Sequence, residues 1–345
     1  MERVKSIDFF RGVSVVVFII VHLRDWWLIG GPDTTLAFFM RPFIDRVFGP
    51  TFTFVAGIST YISYNNRTKK LSEDFTYKMI RKEYFYRAFL LLLIALAYNL
   101  FVAVFLADLI RIWTWFMLFS ISISLFMTWP FLKKSKVLRI LLAAGIITIN
   151  FFLFAILEPF QGELNFFGVS YFLLYNSIDL DPILSVFPFL LIGTVVGQTL
   201  VEIYEIQEKD ERTRAIRNKI FLPNVIIGTL LISLTMMLIF PLFLQNIGFT
   251  WVFYSLGFCL VLFAFPLLLE QHGHFETKKS YKFLYYYSYY SLTVYLSHNL
   301  LYLLFYQRLT FFFYWIFTII TLIIYGLFLK FMHSKLGSKF AIKAQ

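Results

Sequence analysis

Apolar runs of about 20 residues recur along the whole chain, separated by short polar segments, and nothing else in the sequence limits its folding so strongly. A run of that length crosses a hydrocarbon core of ~30 Å as a helix rising ~1.5 Å per residue. The runs lie near 7–29, 43–64, 85–107, 109–131, 137–157, 182–203, 221–244, 249–270, 286–306 and 309–331. The sequence therefore predicts an all-α polytopic membrane protein, a bundle of about ten transmembrane helices forming one transmembrane domain over 1–345. A composition of 59% hydrophobic and 15% charged residues exceeds what a soluble core needs.

Lysine and arginine predict the orientation, because basic residues in short loops stay on the cytoplasmic side. Arg67, Lys69, Lys70, Lys78, Arg81, Lys82 and Arg87 fall between spans two and three, and Lys133, Lys134, Lys136 and Arg139 between four and five. Lys209 to Lys219, Lys278 to Lys282 and Lys330 to Lys343 continue the bias, so both termini are expected in the cytoplasm. The longest outer loop, roughly 158–181, has no basic residue and carries Glu158, Glu163, Asp179 and Asp181, with an apolar stretch from Phe166 to Leu174 suited to the membrane surface. The net charge of +11 thus sits at one membrane face, where basic-loop retention and anionic headgroups explain it, and no nucleic acid is expected as a partner. The single cysteine, Cys259, excludes an intramolecular disulfide and a cysteine-based metal cluster. Multi-pass residence in the plasma membrane follows from the lack of an organelle signal. Aromatic-rich spans leave the oligomeric state open, a homo-oligomer included.

The first span is no plain anchor. It holds Asp8, Arg11 and His22, which on a helix at 100° per residue fall at about 0°, 300° and 320°, on one narrow face. Ionisable groups in lipid are costly and normally face a bundle interior or a watery cavity. Asp8 and Arg11 can also simply neutralise each other near the inner boundary. His22 lies ~16 Å further along the axis than Arg11, in the outer third, where Arg24 and Asp25 suggest a watery vestibule. A second histidine, His298, stands midway in span nine within Ser291-Leu292-Thr293-Val294-Tyr295-Leu296-Ser297-His298. Its polar neighbours could fix one tautomer, and interhelical hydrogen bonding is the simpler role. Asp45, in Ile44-Asp45-Arg46-Val47-Phe48-Gly49-Pro50, is the acid on span two best placed to reach His22 and orient it; a surface pair with Arg41 or Arg46 is its alternative. His272, His274 and His333 fall in inner segments and read as solvated, and no histidine pair has the spacing of a zinc site.

Arg3-Val4-Lys5-Ser6-Ile7-Asp8-Phe9-Phe10-Arg11-Gly12, followed by His22, resembles the opening of the heparan-α-glucosaminide N-acetyltransferase-like membrane family, whose wider relatives include the acyltransferase-three O-acyltransferases. Asp45 to Ser59 is similar to that family's second helix, Phe187 to Gly193 to its sixth-span motif, and Ser291 to His298 to its late Ser-Leu-x-x-Tyr-Leu-x-His pattern. Four patches in the same order are far more specific than any one. The resemblance implies transfer of an acyl group from acyl-CoA to a carbohydrate or lipid-linked glycan outside the cytoplasm. In the heparan-modifying branch the active histidine lies in the first outer loop, whereas here Gly30 to Phe43 contains none, leaving His22 as the candidate of that region.

The expected chemistry follows. Arg11, with Asp8 and part of the inner basic cluster, would serve the acetyl-CoA or other acyl-CoA cosubstrate, without a metal. His22 would act as general base on a hydroxyl or amine, or be acylated itself, with Asp45 orienting it. His298, with Ser291 or Tyr295, would polarise the carbonyl or protonate the leaving thiolate. Two other classes compete: a secondary transporter, which commonly shows an internal repeat not found here, and a non-catalytic membrane scaffold.

Overall fold

The computed structural model describes residues 4–72, 75–176, 181–239, 249–275 and 282–337; Asp179, Lys278, Lys279, Lys339 and Lys343 lie outside them. In chain order the helices are α1 (Lys5–Trp27), α2 (Thr35–Met40), α3 (Arg46–Thr68), α4 (Tyr77–Phe105), α5 (Met117–Thr128), α6 (Lys136–Leu157), α7 (Phe166–Leu174) and α8 (Ile183–Tyr204). They continue as α9 (Lys209–Ile216), α10 (Leu222–Ile239), α11 (Phe249–Gln271), α12 (Lys282–Tyr289), α13 (Ser291–Ser297), α14 (Tyr302–Phe305) and α15 (Phe311–Leu336). No strand occurs among the described residues, apart from an isolated parallel bridge between Leu28 and Leu309.

Among the described residues, eight helical segments are long and apolar enough to cross a membrane: Lys5–Trp27, Tyr77–Phe105, Leu109–Phe131, Lys136–Phe160, Ile183–Tyr204, Lys209–Met237, Thr250–Gln271 and Phe311–Leu336. The chain is thus an all-α, multi-pass membrane protein. Two of the ten expected spans fall short of that standard. The helix α3 is long enough, but Thr51, Thr53, Ser59, Thr60, Ser63, Asn65 and Asn66 make it amphipathic. The segment 286–306 is broken: Tyr290 leaves the helical region at φ −102°, ψ 22°, and the chain tightens to a 3₁₀ turn over His298–Leu301. The surface stretch foreseen in the outer loop is the helix α7, begun by Asn165, whose side chain accepts from the Gly168 N–H at 2.9 Å.

The described helices group into two compact units. One comprises Thr53–Leu260. Its most buried span is α8, where Gly193 and Gly57 of α3 replace side chains at a close backbone approach. A Cβ on Gly57 would stand 2.2 Å from the Leu190 carbonyl oxygen, and one on Gly193 2.2 Å from that of Phe54. Two of the motifs noted in the sequence therefore meet here, and only glycine fits at either position. On another side, Asn150 of α6 donates to the Ser185 hydroxyl of α8 at 3.1 Å and Arg139 to that of Thr194 at 2.9 Å, pairing buried polar groups between apolar helices.

The other unit comprises Glu2–Phe52 and Val261–Lys343. Its axis is α1, whose Val15, Ile19, Leu23 and Trp27 recur at i+4 and bury one stripe against Tyr287, Val294, Tyr314 and Leu322. Gly12 lets α12 in close, since a Cβ there would stand 2.3 Å from the Leu284 carbonyl oxygen. The first turn of α1 has no local cap. The Glu270 carboxylate of α11 instead accepts from the Lys5 and Ser6 N–H groups, both at 2.8 Å. At the far end, Leu309 N–H donates to Trp27 C=O and Ile29 N–H to Leu309 C=O, each at 2.9 Å, while Gln307 N–H donates to Trp26 C=O at 2.7 Å. The end of α1 is thus fastened by backbone to the segment that follows α14.

Candidate functional site

The C-terminal half of α1 brings His22 to His298. Their ring centroids lie 5.1 Å apart with planes at 87°. Two features place them: His22 projects from a regular helix, and His298 sits where α13 tightens into the 3₁₀ turn. Phe18, one turn before His22, has its ring centroid 4.1 Å from His22 and 4.7 Å from His298. Trp26, one turn after, stacks on His298 at 5.4 Å and meets His22 edge-on at 5.2 Å. Tyr295 stacks on Phe18 at 5.4 Å. The two imidazoles therefore share one aromatic enclosure, within which His298 is buried and His22 half-buried.

Both rings use the same nitrogen for support. The Nδ1 of His22 lies 3.0 Å from the Phe18 carbonyl oxygen, and the Nδ1 of His298 bonds the Tyr295 carbonyl. A carbonyl only accepts, so each Nδ1 carries the proton and each Nε2 the basic lone pair. The His298 Nε2 is buried and has no hydrogen-bond partner among the described residues. Buried polar atoms are usually satisfied, and exceptions mark places where a ligand or a transferring proton belongs. A pair of neutral imidazoles walled by aromatics suits proton abstraction from a weakly acidic hydroxyl or amine in a site shielded from water.

Beyond His22 the site rests on an ion cluster. Arg24, only 1% exposed, donates from Nη1 to Asp45 Oδ1 at 2.9 Å and from Nη2 to Asp45 Oδ2 at 2.8 Å. It also donates from Nε and Nη2 to Asp25 Oδ1 at 2.8 and 2.6 Å. Asp45 does reach the C-terminal end of α1, but its carboxylate engages Arg24 in a two-pronged pair rather than the imidazole, and Arg24 rather than Arg41 or Arg46 is its partner. The reason is the fork of the guanidinium, which matches both carboxylate oxygens where an imidazole matches one. Arg24, foreseen at the rim of a vestibule, is buried instead.

The remaining candidates lie at a distance. Asp8 is buried ~21 Å down the axis of α1 from His22, with the Ser288 hydroxyl 3.5 Å away, and half-buried Arg11 lies ~16 Å down. Ser291 stands ~10 Å back along α13 from His298, whereas Tyr295 is in the enclosure, its ring 5.8 Å from that of His298. His272 and His274 are exposed as expected. His333 is not: α15 runs on to Leu336 and packs its ring among Tyr285, Tyr286, Tyr289 and Tyr290, with the Tyr290 hydroxyl 3.1 Å from Nδ1. Sequence inspection missed Trp26, Phe18 and Glu270. The i±4 spacing of Phe18 and Trp26 about His22 is the signal that could have found the first two.

Comparison with known proteins gives one family match. The model described as heparan-alpha-glucosaminide N-acetyltransferase, catalytic, covers residues 3–240. That range takes in His22, Arg24 and Asp45 and ends before His298. No curated protein matches the chain.

Proposed function

The chain belongs to the heparan-alpha-glucosaminide N-acetyltransferase catalytic family, and on that footing we propose that it moves an acetyl or other short acyl group from cytoplasmic acyl-CoA to a glycan hydroxyl or amine outside the cytoplasm. The observation that carries this reading is the pair of perpendicular imidazoles 5.1 Å apart, each with Nδ1 tied to a backbone carbonyl. The basic inner loops suit retention of the donor's phosphates on the cytoplasmic side, and both termini lie there as well. The plasma membrane is the compartment in which the chain meets exposed glycans.

In the proposed reaction the acceptor O–H or N–H gives its proton to Nε2 of His22 as its heteroatom bonds the thioester carbonyl carbon. Collapse of the tetrahedral species breaks the C–S bond, and the His22 imidazolium returns the proton to the CoA thiolate. His298, whose Nε2 also carries a lone pair, is the alternative acceptor of that proton, and Phe18 and Trp26 hold both rings in register. Asp45 influences His22 through Arg24. Positioned acid–base help of this kind is worth roughly 10² to 10⁴ in rate.

The test is turnover by purified wild type, His22→Ala and His298→Ala in detergent, with equal folding checked by size exclusion. Acetyl-CoA consumption and acetyl transfer to a panel of hexoses and amino sugars are followed. Turnover should fall by ~10²-fold or more in both variants while donor binding persists. Full activity in His22→Ala, or no acyl-CoA consumption by wild type, overturns the reading.

A further inference from the structure

A second candidate site lies wholly within the Thr53–Leu260 unit, where α3, α4 and the end of α5 enclose a cavity of about 210 Å³. This is far more than the ~10–15 Å³ one water requires. Its wall on α3 is a helical stripe, Ser59, Ser63 and Arg67, and on α4 it is Ile80, Tyr84, Arg87 and Leu91. The third side is the indole of Trp129, whose ring centroid is 4.7 Å from that of Tyr84 and 5.9 Å from that of Tyr64. The lining combines two guanidinium groups, the hydroxyls of Ser59, Thr60 and Ser63, and apolar Ala88, Leu91 and Leu125.

The charges in this cavity do not balance. Arg67 pairs with Glu83. Arg87 stands ~15 Å along α4 from Tyr77, within an apolar span, and its buried Nε has no hydrogen-bond partner among the described residues. Both guanidinium groups line the same cavity. An arginine within a span normally answers a charge or lines a polar path. Retention of basic segments accounts for the charge of Arg87 in the N-terminal part of α4, but not for a cavity lined by two guanidinium groups. Tyr84 is not the missing partner, since its hydroxyl donates to the Leu125 carbonyl at 2.7 Å.

We propose that this cavity binds the phosphoryl group of an amphiphile, with Arg87 and Arg67 on the phosphate oxygens and the attached group along Ser63, Trp129 and Leu125. Guanidinium forks match phosphate bidentately, and a phosphoryl group offers enough acceptors to engage both arginines at once. Trp129 supplies a flat apolar face for a ring or an acyl chain. Two sources carry that chemistry: the nucleotide end of an acyl-CoA, which rests on the donor reading above, and an anionic phospholipid headgroup, which does not.

The experiment uses the full chain in nanodiscs of neutral phosphatidylcholine, as wild type, Arg87→Gln and Arg87→Lys. CoA is titrated calorimetrically in one arm, and in the other added phosphatidylglycerol is followed by native mass spectrometry. At least one of these probes should bind wild type and weaken tenfold or more in Arg87→Gln, with Arg87→Lys intermediate because it keeps the charge without the fork. If Arg87→Gln fails to fold, Arg67→Gln at the mouth of the cavity carries the same comparison. Phosphatidylglycerol lost from the variant, with CoA bound by neither form, supports the cavity and removes the donor reading. CoA and phosphatidylglycerol both bound equally by wild type and variant overturn the proposal while leaving the donor reading standing.

Discussion

Replacing Arg24 with methionine should destabilise the protein by about 3–5 kcal/mol, the usual cost of removing one partner from a buried ion pair. The structure supports the upper part of that range. The guanidinium is 1% exposed and makes four charge-assisted hydrogen bonds of 2.6–2.9 Å, two to each carboxylate. Methionine would fill much of the volume, so packing contributes little and the cost comes from two stranded carboxylates, Asp25 33% and Asp45 17% exposed. Asp45→Asn should cost less, about 1–3 kcal/mol, because Arg24 keeps Asp25. The triple variant Arg24→Met, Asp25→Asn, Asp45→Asn should regain most of the loss, since a wholly neutral cluster has no unpaired charge. Denaturant titration in micelles, followed by tryptophan fluorescence, measures each variant. A double-mutant cycle on Arg24 and Asp45 should give a coupling of roughly 0.5–3 kcal/mol. Arg24→Met within 1 kcal/mol of wild type, or an additive cycle, would show that the cluster carries no such burden.

Gly57→Ala and Gly193→Ala each place a methyl 2.2 Å from a carbonyl oxygen, and each should cost about 1–3 kcal/mol of overpacking, read as a lowered Tm in detergent. Gly145→Ala, with nothing within 4 Å of its Cβ, is the control and should not fall. Glu270→Ala uncaps the first turn of α1 and should cost roughly 0.5–2 kcal/mol, with faster hydrogen exchange at Lys5 and Ser6 and not at Leu23. Trp26→Leu removes the ring stacked on His298 and should lower turnover by about 10²-fold with Tm nearly unchanged; unaltered kinetics would exclude Trp26 as a positioning residue.

Most of the helical layout was legible because a membrane span announces itself through length and apolarity alone. The two weak spans show the limit of that signal. Helix α3 is amphipathic because its hydroxyls face protein, and Tyr290 breaks its segment without a proline or glycine to announce it. The meeting of His22 with His298 could not be read from positions 276 residues apart, since no local periodicity links them. Their separate prominence was legible, because a histidine among apolar neighbours stands out. The role of Arg24 was misplaced because hydropathy treats an arginine near a span's end as solvent-facing, whereas two carboxylates from different segments enclose it. His333 was misplaced for a related reason: α15 carries its helix past the expected end, into a nest of tyrosines.

The short parallel pairing of Trp26, Trp27 and Ile29 with Gln307 and Leu309 bears on how such a site can change over evolutionary time. Its three hydrogen bonds join only backbone amide and carbonyl groups, common to every non-proline residue, so drift in side chains there leaves the fastening intact. The separation of the two histidines is thereby buffered against most substitutions in the loop, while the aromatic residues around them remain free to vary in size. A lineage could reshape what the enclosure accepts without first having to rediscover how to hold its two bases together.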